Sequence, residues 1–241
     1  MATAQLHSIR VGDAARAMKA LLSNPDDTAQ VFRIIDALSG KNGERTLARL
    51  RRSSEGQRLL KNKPNLLRTL QDREGLRALP DGSFGRAYLT FLETEKITAE
   101  GLEGASMEGR SSARFDAPAD FRFLQDRMRD SHDLWHTLTG YRGDIVGEAS
   151  ILAFSFAQTW NPGVGFIVFM ALLRGLGNDV NKTILGGFVR GVKAAWLPAV
   201  EFEKLLALPL ETVRKRLRIE PTGTYQELRS AVYAAHRAAA E

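Results

Sequence analysis

The chain has 241 residues, 44% of them apolar and 26% charged, enough for a sizeable hydrophobic core in one domain and inconsistent with global disorder. With no cysteine, disulfides and thiolate metal sites are excluded, so a transition-metal site must use nitrogen and oxygen donors. The net charge of +6 raises the question of nucleic acid, but no nucleic-acid-binding motif is present.

In chain order, Met1 to Leu22 lacks the apolar stretch and small-residue cleavage site of a secretory signal, and it is not an Arg- and Ser-rich transit peptide. Ile9, Met18, Leu21 and Leu22 begin a helical pattern that stops at Asn24, Pro25, Asp26 and Asp27, where Pro and acidic residues favour a new helix start. Val31, Ile34, Ile35 and Leu38 repeat at helical spacing up to Gly40. Further helices are predicted over Leu47–Leu60, Leu66–Leu79 and, past the Pro80–Gly82 break, Phe84–Glu93. Basic residues concentrate from Lys41 to Arg77 without aromatic residues for base stacking, which fits a solvated helical face or an anionic membrane surface.

Residues 101–118, rich in Gly and Ser, carry the weakest pattern and read as a mobile loop or a linker. Beyond them helices are predicted over Phe121–Leu138, then, after a Gly140–Gly143 turn, over Asp144–Thr159, Val164–Leu173, Val180–Leu197, Val213–Leu217 and Tyr225–Ala240. Val164–Leu173 is too short to span a bilayer, and Asn161, Pro162 and Gly163 part it from Ile151–Phe156. No strand pattern is present, so the expected fold is all-α: a single multi-helix domain over residues 1–241.

Chemistry concentrates in one stretch. His132 and His136, four apart on a helix, present two imidazoles on one face, the spacing that a metal ion requires. Asp133 stands about 100° round the same turn, able to ligate the ion or orient a histidine. Eleven residues separate His136 from Glu148, and the Gly140–Gly143 turn lets the chain reverse so that Glu148 faces the histidines. The expected site therefore lies between two adjacent antiparallel helices and suits Zn²⁺, Fe²⁺ or Mn²⁺. The competing reading is structural: an interior histidine pair, Asp133 complementing the dipole of a helix capped by Ser131, and Glu148 as a first-turn surface charge. Arg142, in the turn, is a candidate for binding a substrate carboxylate or for pairing with Asp144. A zinc peptidase is disfavoured because its helical motif has Glu where this chain has the shorter Asp133.

His132, Asp133, His136 and Glu148, with these intervals, match the signature of the coenzyme Q biosynthesis protein 4 family. Phe123–Thr159, with Trp135, Thr137, Thr139, Gly140 and Gly147, resembles the family too. So do the Leu79, Pro80, Gly82, Gly85, Tyr88 run and the Trp196–Ile219 tail, which extends the resemblance over most of the chain.

The resemblance implies a largely helical protein that holds a divalent metal, usually assigned as zinc, with iron or manganese as alternatives. His132, Asp133, His136 and Glu148 become its metal-binding and catalytic residues. The implied activity is oxidative loss of the ring carboxyl group from a polyprenylated 4-hydroxybenzoate-derived precursor of ubiquinone. The rival is a non-catalytic, lipid-binding scaffold that organises the other ubiquinone biosynthesis enzymes. Implied partners are the quinone precursor, those enzymes and a membrane surface touched peripherally: the cytoplasmic side of a bacterial inner membrane, or the matrix side of the mitochondrial one. Nucleic acid is not among them, and a homodimer is a base-rate expectation only. The polyprenyl tail needs an apolar groove, for which Phe154, Phe166 and Met170 are candidates, against the reading that they are core.

Overall fold

The structure is a computed structural model that describes residues 8–98, 104, 106–109, 117–174, 177–230 and 233. Helical spacing becomes helix over most of the described chain: α1 (Val11–Ser23), α2 (Thr28–Leu38), α3 (Asn42–Arg52), α4 (Ser54–Asn62), α5 (Leu66–Gln71), α6 (Arg73–Arg77) and α7 (Phe84–Glu95) form the first half. The second half holds α8 (Ala119–Asp130), α9 (His132–Thr139), α10 (Ile145–Thr159), α11 (Pro162–Leu173), α12 (Asn178–Lys193) and α13 (Leu210–Leu217), with 3₁₀ turns at Leu197–Ala199 and Phe202–Lys204. Among the described residues there is no strand, only an isolated bridge between Ser83 and Pro209.

Three predicted helices are each divided in two. The Ser53 hydroxyl accepts from the Gly56 N–H at 3.1 Å and starts α4, and the Asp72 carboxylate accepts from the Gly75 N–H at 2.9 Å and starts α6. The third break, at Ser131, is subtler: this residue keeps near-helical angles (φ −84°, ψ −5°), and its hydroxyl donates back to the Met128 carbonyl instead of capping α9. Pro25 falls in the turn before α2, outside the helix. No helix begins at Tyr225, because residues 221–229 lie without regular structure; most of the rest of that predicted helix is outside the described residues. So is most of the 101–118 segment, whose described residues at 104 and 106–109 are helical. The basic run is a surface of ion pairs: Arg51 and Lys63 meet Asp120, Arg58 meets Glu201, and Arg77 meets Glu93.

The main core joins α5–α7, α9, α10 and the segment from Ala194 to Ile219 around Trp135, Phe154, Tyr88 and Phe84. α10 is the hub, packed closely on α12 where Gly187 leaves no room for a side chain. A Cβ there would lie 2.2 Å from the Ser150 carbonyl oxygen, which helical backbone holds in place. Gly187→Ala is therefore expected to lower the unfolding free energy by about 1–3 kcal/mol, read from a urea midpoint.

Candidate metal centre

α9 sets His132 and His136 one turn apart. The chain reverses through Gly140–Gly143, and Asp144 opens α10 by accepting from the N–H groups of Val146 and Gly147 at 3.0 and 3.3 Å. The first turn of α10 then returns Glu148 to the histidines. The two Nε2 atoms are 3.2 Å apart, and the Glu148 oxygens stand 3.5 Å from His132 Nε2 and 3.4 Å from His136 Nε2. Donors about 2.0–2.1 Å from a tetrahedral ion are roughly 3.3 Å from one another, so these separations fit a shared cation. Two imidazoles with one carboxylate also form a chemically appropriate donor set.

The second nitrogen of His136 settles its tautomer. Nδ1 lies 3.0 Å from the Tyr141 carbonyl, which can only accept, so in the neutral ring the proton sits there and Nε2 is the nitrogen left for a ligand. Phe91 stacks on the same ring at 5.2 Å. His136 is 1% exposed, whereas the Glu148 side chain is 46% exposed and turned into an internal cavity that it lines.

Burial opposes charge on both His136 and Glu148, yet their mutual attraction wins. His136 is driven down by burial but up more strongly by the Glu148 charge and hydrogen bond, by Asp133 and by the Tyr141 carbonyl, reaching about 9. Burial likewise raises Glu148, while His136 and His132 hold its carboxyl well below the usual carboxylate range. Asp133 is pushed up by burial, against the pull of the two histidines.

A pH dependence follows. In the metal-free protein the protonated His136 stabilises the fold fully below its ordinary value of 6.5, and this contribution is lost as pH rises through about 9. A cation must displace that proton, so zinc affinity is expected to rise about tenfold per pH unit between neutrality and about 9, measured by chelator competition.

Of the sequence candidates, His132, His136 and Glu148 converge, and among the described residues they form the one group arranged for a metal ion. Asp133 is buried beside them but its carboxylate is not a member of that group. Next to the centre lies a cavity of about 490 Å³ walled by apolar side chains of α1, α2, α10, α11 and α12, including Met18, Ile35, Leu152, Ile167 and Ile184; His132 and Glu148 open onto it. Met170 lines this space. Phe166 is partly buried, packs against the Met18 and Ile34 cluster and is not among the residues lining the cavity, and Phe154 is fully buried against Trp135 at 5.8 Å, in the core. Arg142 is not among the residues lining the cavity and pairs with Glu227 at 3.1 Å, not with Asp144.

Sequence reasoning did not single out Asp144, Tyr225 or Phe91. Asp immediately before a helix is a recognisable capping signal. Tyr225, which donates to Asp144 at 2.6 Å from 81 positions away, has no local signal.

A sequence model for the family described as coenzyme Q (ubiquinone) biosynthesis protein Coq4 matches residues 4–223. The mitochondrial ubiquinone biosynthesis protein COQ4 homologue of Bos taurus is 30% identical over 197 residues, covering 77% of this chain and 70% of the relative. The corresponding mitochondrial protein of Podospora anserina is 30% identical over 182 residues, 73% of this chain but only 57% of the relative. In fold, the chain resembles the crystal structure of a Nostoc punctiforme protein ascribed to ubiquinone biosynthesis, with a TM-score of 0.62 at 20% identity over 87% of this chain and 98% of that one.

Proposed function

Since the chain belongs to the Coq4 family of coenzyme Q (ubiquinone) biosynthesis proteins, we propose that it binds a divalent metal through His132, His136 and Glu148 and uses it on a polyprenylated 4-hydroxybenzoate-derived precursor, removing the ring carboxyl group oxidatively. The observation that carries this reading is the opening of the donor cluster onto a large apolar cavity: polar chemistry at one wall, room for an isoprenoid tail beyond it.

A bound ion supplies Lewis-acid stabilisation of negative charge on the substrate oxygens. The protein's own tasks are then separable. Tyr141 holds the His136 ring by its Nδ1–H, Phe91 fixes the ring plane, and Glu148 contributes the anionic donor. Met170, Ile167 and Leu152 keep water from the tail. Asp133 is buried next to the cluster, where burial favours its neutral form until a cation is near. Zinc has no redox chemistry of its own, so with zinc bound the electrons would pass from the electron-rich ring directly to dioxygen as oxidant, whereas the same two histidines and one carboxylate would also hold ferrous iron.

Elemental analysis of protein purified without a histidine tag tests the centre. About one ion per chain is expected in the wild type and a small fraction of that in His132→Ala; equal contents in the two would remove the assignment. The cavity is tested by photo-crosslinking of a prenylated probe. A crosslinker at Met170 should label strongly and one at Phe154 should not, and the reverse would place the tail elsewhere.

A further inference from the structure

α9 is eight residues long and carries both histidines, so the aim of the two imidazoles depends on what holds its C-terminal end. A helix leaves its last carbonyls without donors of its own. Here they are met from far along the chain. Arg214 of α13 donates through Nη2 to the Thr137 carbonyl at 3.0 Å and through Nε to the Leu138 carbonyl at 2.9 Å, while the Thr222 N–H reaches the Thr139 carbonyl at 2.6 Å. The remaining nitrogen of Arg214, Nη1, is held by Glu211 at 2.6 Å, so the guanidinium is fixed on three sides. A cation at this end also complements the helix dipole.

Past the end of α9 the chain turns at Gly140, with φ of +77°, and Tyr141 follows. Its carbonyl accepts from His136 Nδ1, and its buried ring is anchored by α12: Arg190 Nη1 donates to the Tyr141 hydroxyl at 3.1 Å, and that hydroxyl donates to the Thr183 carbonyl at 3.3 Å. Arg190 Nε also donates to the Glu220 carbonyl at 3.1 Å, which ties it to the segment that brings Thr222 onto α9. Arg190 and Arg214 share one groove between α12 and α13, and neither lines the apolar cavity.

We infer that Arg190 and Arg214 are positioning residues for the metal centre, acting through Tyr141 and through the end of α9. Arg214 fixes the helix that bears both histidines, and Arg190 fixes the Tyr141 ring, hence the carbonyl that orients His136. The inference rests on the reading of His132, His136 and Glu148 as metal ligands. Their separations of 3.2, 3.4 and 3.5 Å leave little slack, because a displacement of about 0.5 Å takes a donor out of productive geometry. Partners that orient a ligating histidine are typically worth about 10–100-fold in metal affinity. A purely architectural arginine is found close by for comparison: Arg127 binds Glu203 and the Val200 carbonyl and contacts neither α9 carbonyls nor Tyr141 by any of these bonds.

The test is zinc affinity of the full chain by chelator competition, read beside the thermal midpoint of the metal-free protein. Arg190→Met and Arg214→Met should each weaken zinc binding by about 10–100-fold. Arg127→Met should lower the midpoint and leave zinc affinity at the wild-type value. Tyr141→Phe removes the hydroxyl that Arg190 meets and keeps the carbonyl, so the Arg190→Met/Tyr141→Phe double variant should lose no more affinity than Arg190→Met alone. The visible absorption of bound cobalt(II), which reports donor geometry, should shift in Arg190→Met and Arg214→Met and stay unchanged in Arg127→Met. Wild-type affinity and cobalt spectrum in both arginine variants would overturn the inference and leave the metal centre standing. Equal losses in Arg127→Met would overturn it as well, by making the effect one of general stability, and additive losses in the double variant would remove the route through Tyr141. A wild-type chain that binds no zinc would overturn the metal centre itself and this inference with it. Should Arg214→Met fail to fold, Arg190→Met and its cycle with Tyr141→Phe decide alone.

Discussion

Glu148→Ala is expected to lower turnover of a prenylated 4-hydroxybenzoate-derived substrate by about 10³-fold or more, with the helical fold intact. The side chain faces the cavity, so its removal takes little from the core, and the bond from the Glu148 N–H to the Asp144 carbonyl at 2.8 Å is untouched. What disappears is, among the described residues, the carboxylate within 3.5 Å of both imidazoles, and with it the charge that drives His136 up to about 9. Glu148→Gln separates shape from charge, because the amide fills the same space without the anionic donor, and it should share the defect. Release of carbon dioxide, metal content and circular dichroism, taken together on each variant, check this. An ion serving only structure predicts the opposite pattern: activity retained wherever the chain folds, and a lower melting temperature or lost partner assembly in Glu148→Ala.

Helix content was legible because most of the helices bury one face, so apolar residues recur at helical spacing along much of the chain, although α9 is buried nearly all round. The breaks at Ser53, Asp72 and Ser131 were not, since each interrupts the backbone while leaving apolar residues on both sides in a pattern that still reads as helical. The donors followed the same logic. His132 and His136 declare themselves by their interval of four, and Glu148 by a turn of suitable length, whereas Asp133, a third of a turn away from His132, falls outside the donor group. Met170 and Phe154 look alike in sequence, both apolar and both on helices beyond Glu148. Only packing separates the cavity wall from the core, because that choice depends on what α1 and α2 bring against α11.

The Asp144 carboxylate shows how distant sequence builds the centre, and Asp144→Ala is expected to cost about 1.5–5 kcal/mol of stability. This residue is 2% exposed, and it receives four hydrogen bonds: Oδ1 accepts from the N–H groups of Val146, Gly147 and Leu228, and Oδ2 from the Tyr225 hydroxyl. Tyr225 accepts in turn from the Arg142 N–H at 2.9 Å, and the Ile145 N–H donates to the Leu228 carbonyl at 2.9 Å. One carboxylate thus ties the reversal after α9, the first turn of α10 and the C-terminal strap into a single node. Losing the cap alone costs about 0.5–2 kcal/mol, and buried donors left without an acceptor add about 1–3 kcal/mol. Glu148 sits one turn along the same helix, so a loosened start of α10 should also weaken metal binding by about 10–100-fold. Asp144→Asn keeps one accepting oxygen for the cap and should recover most of the stability. Tyr225→Phe removes a single bond of the node and should cost about 1–2 kcal/mol, with a smaller loss of metal affinity. Urea unfolding and chelator competition on the three variants measure both quantities. Metal affinity equal to the wild type in Asp144→Ala and Tyr225→Phe would mean that the strap holds the fold without positioning Glu148.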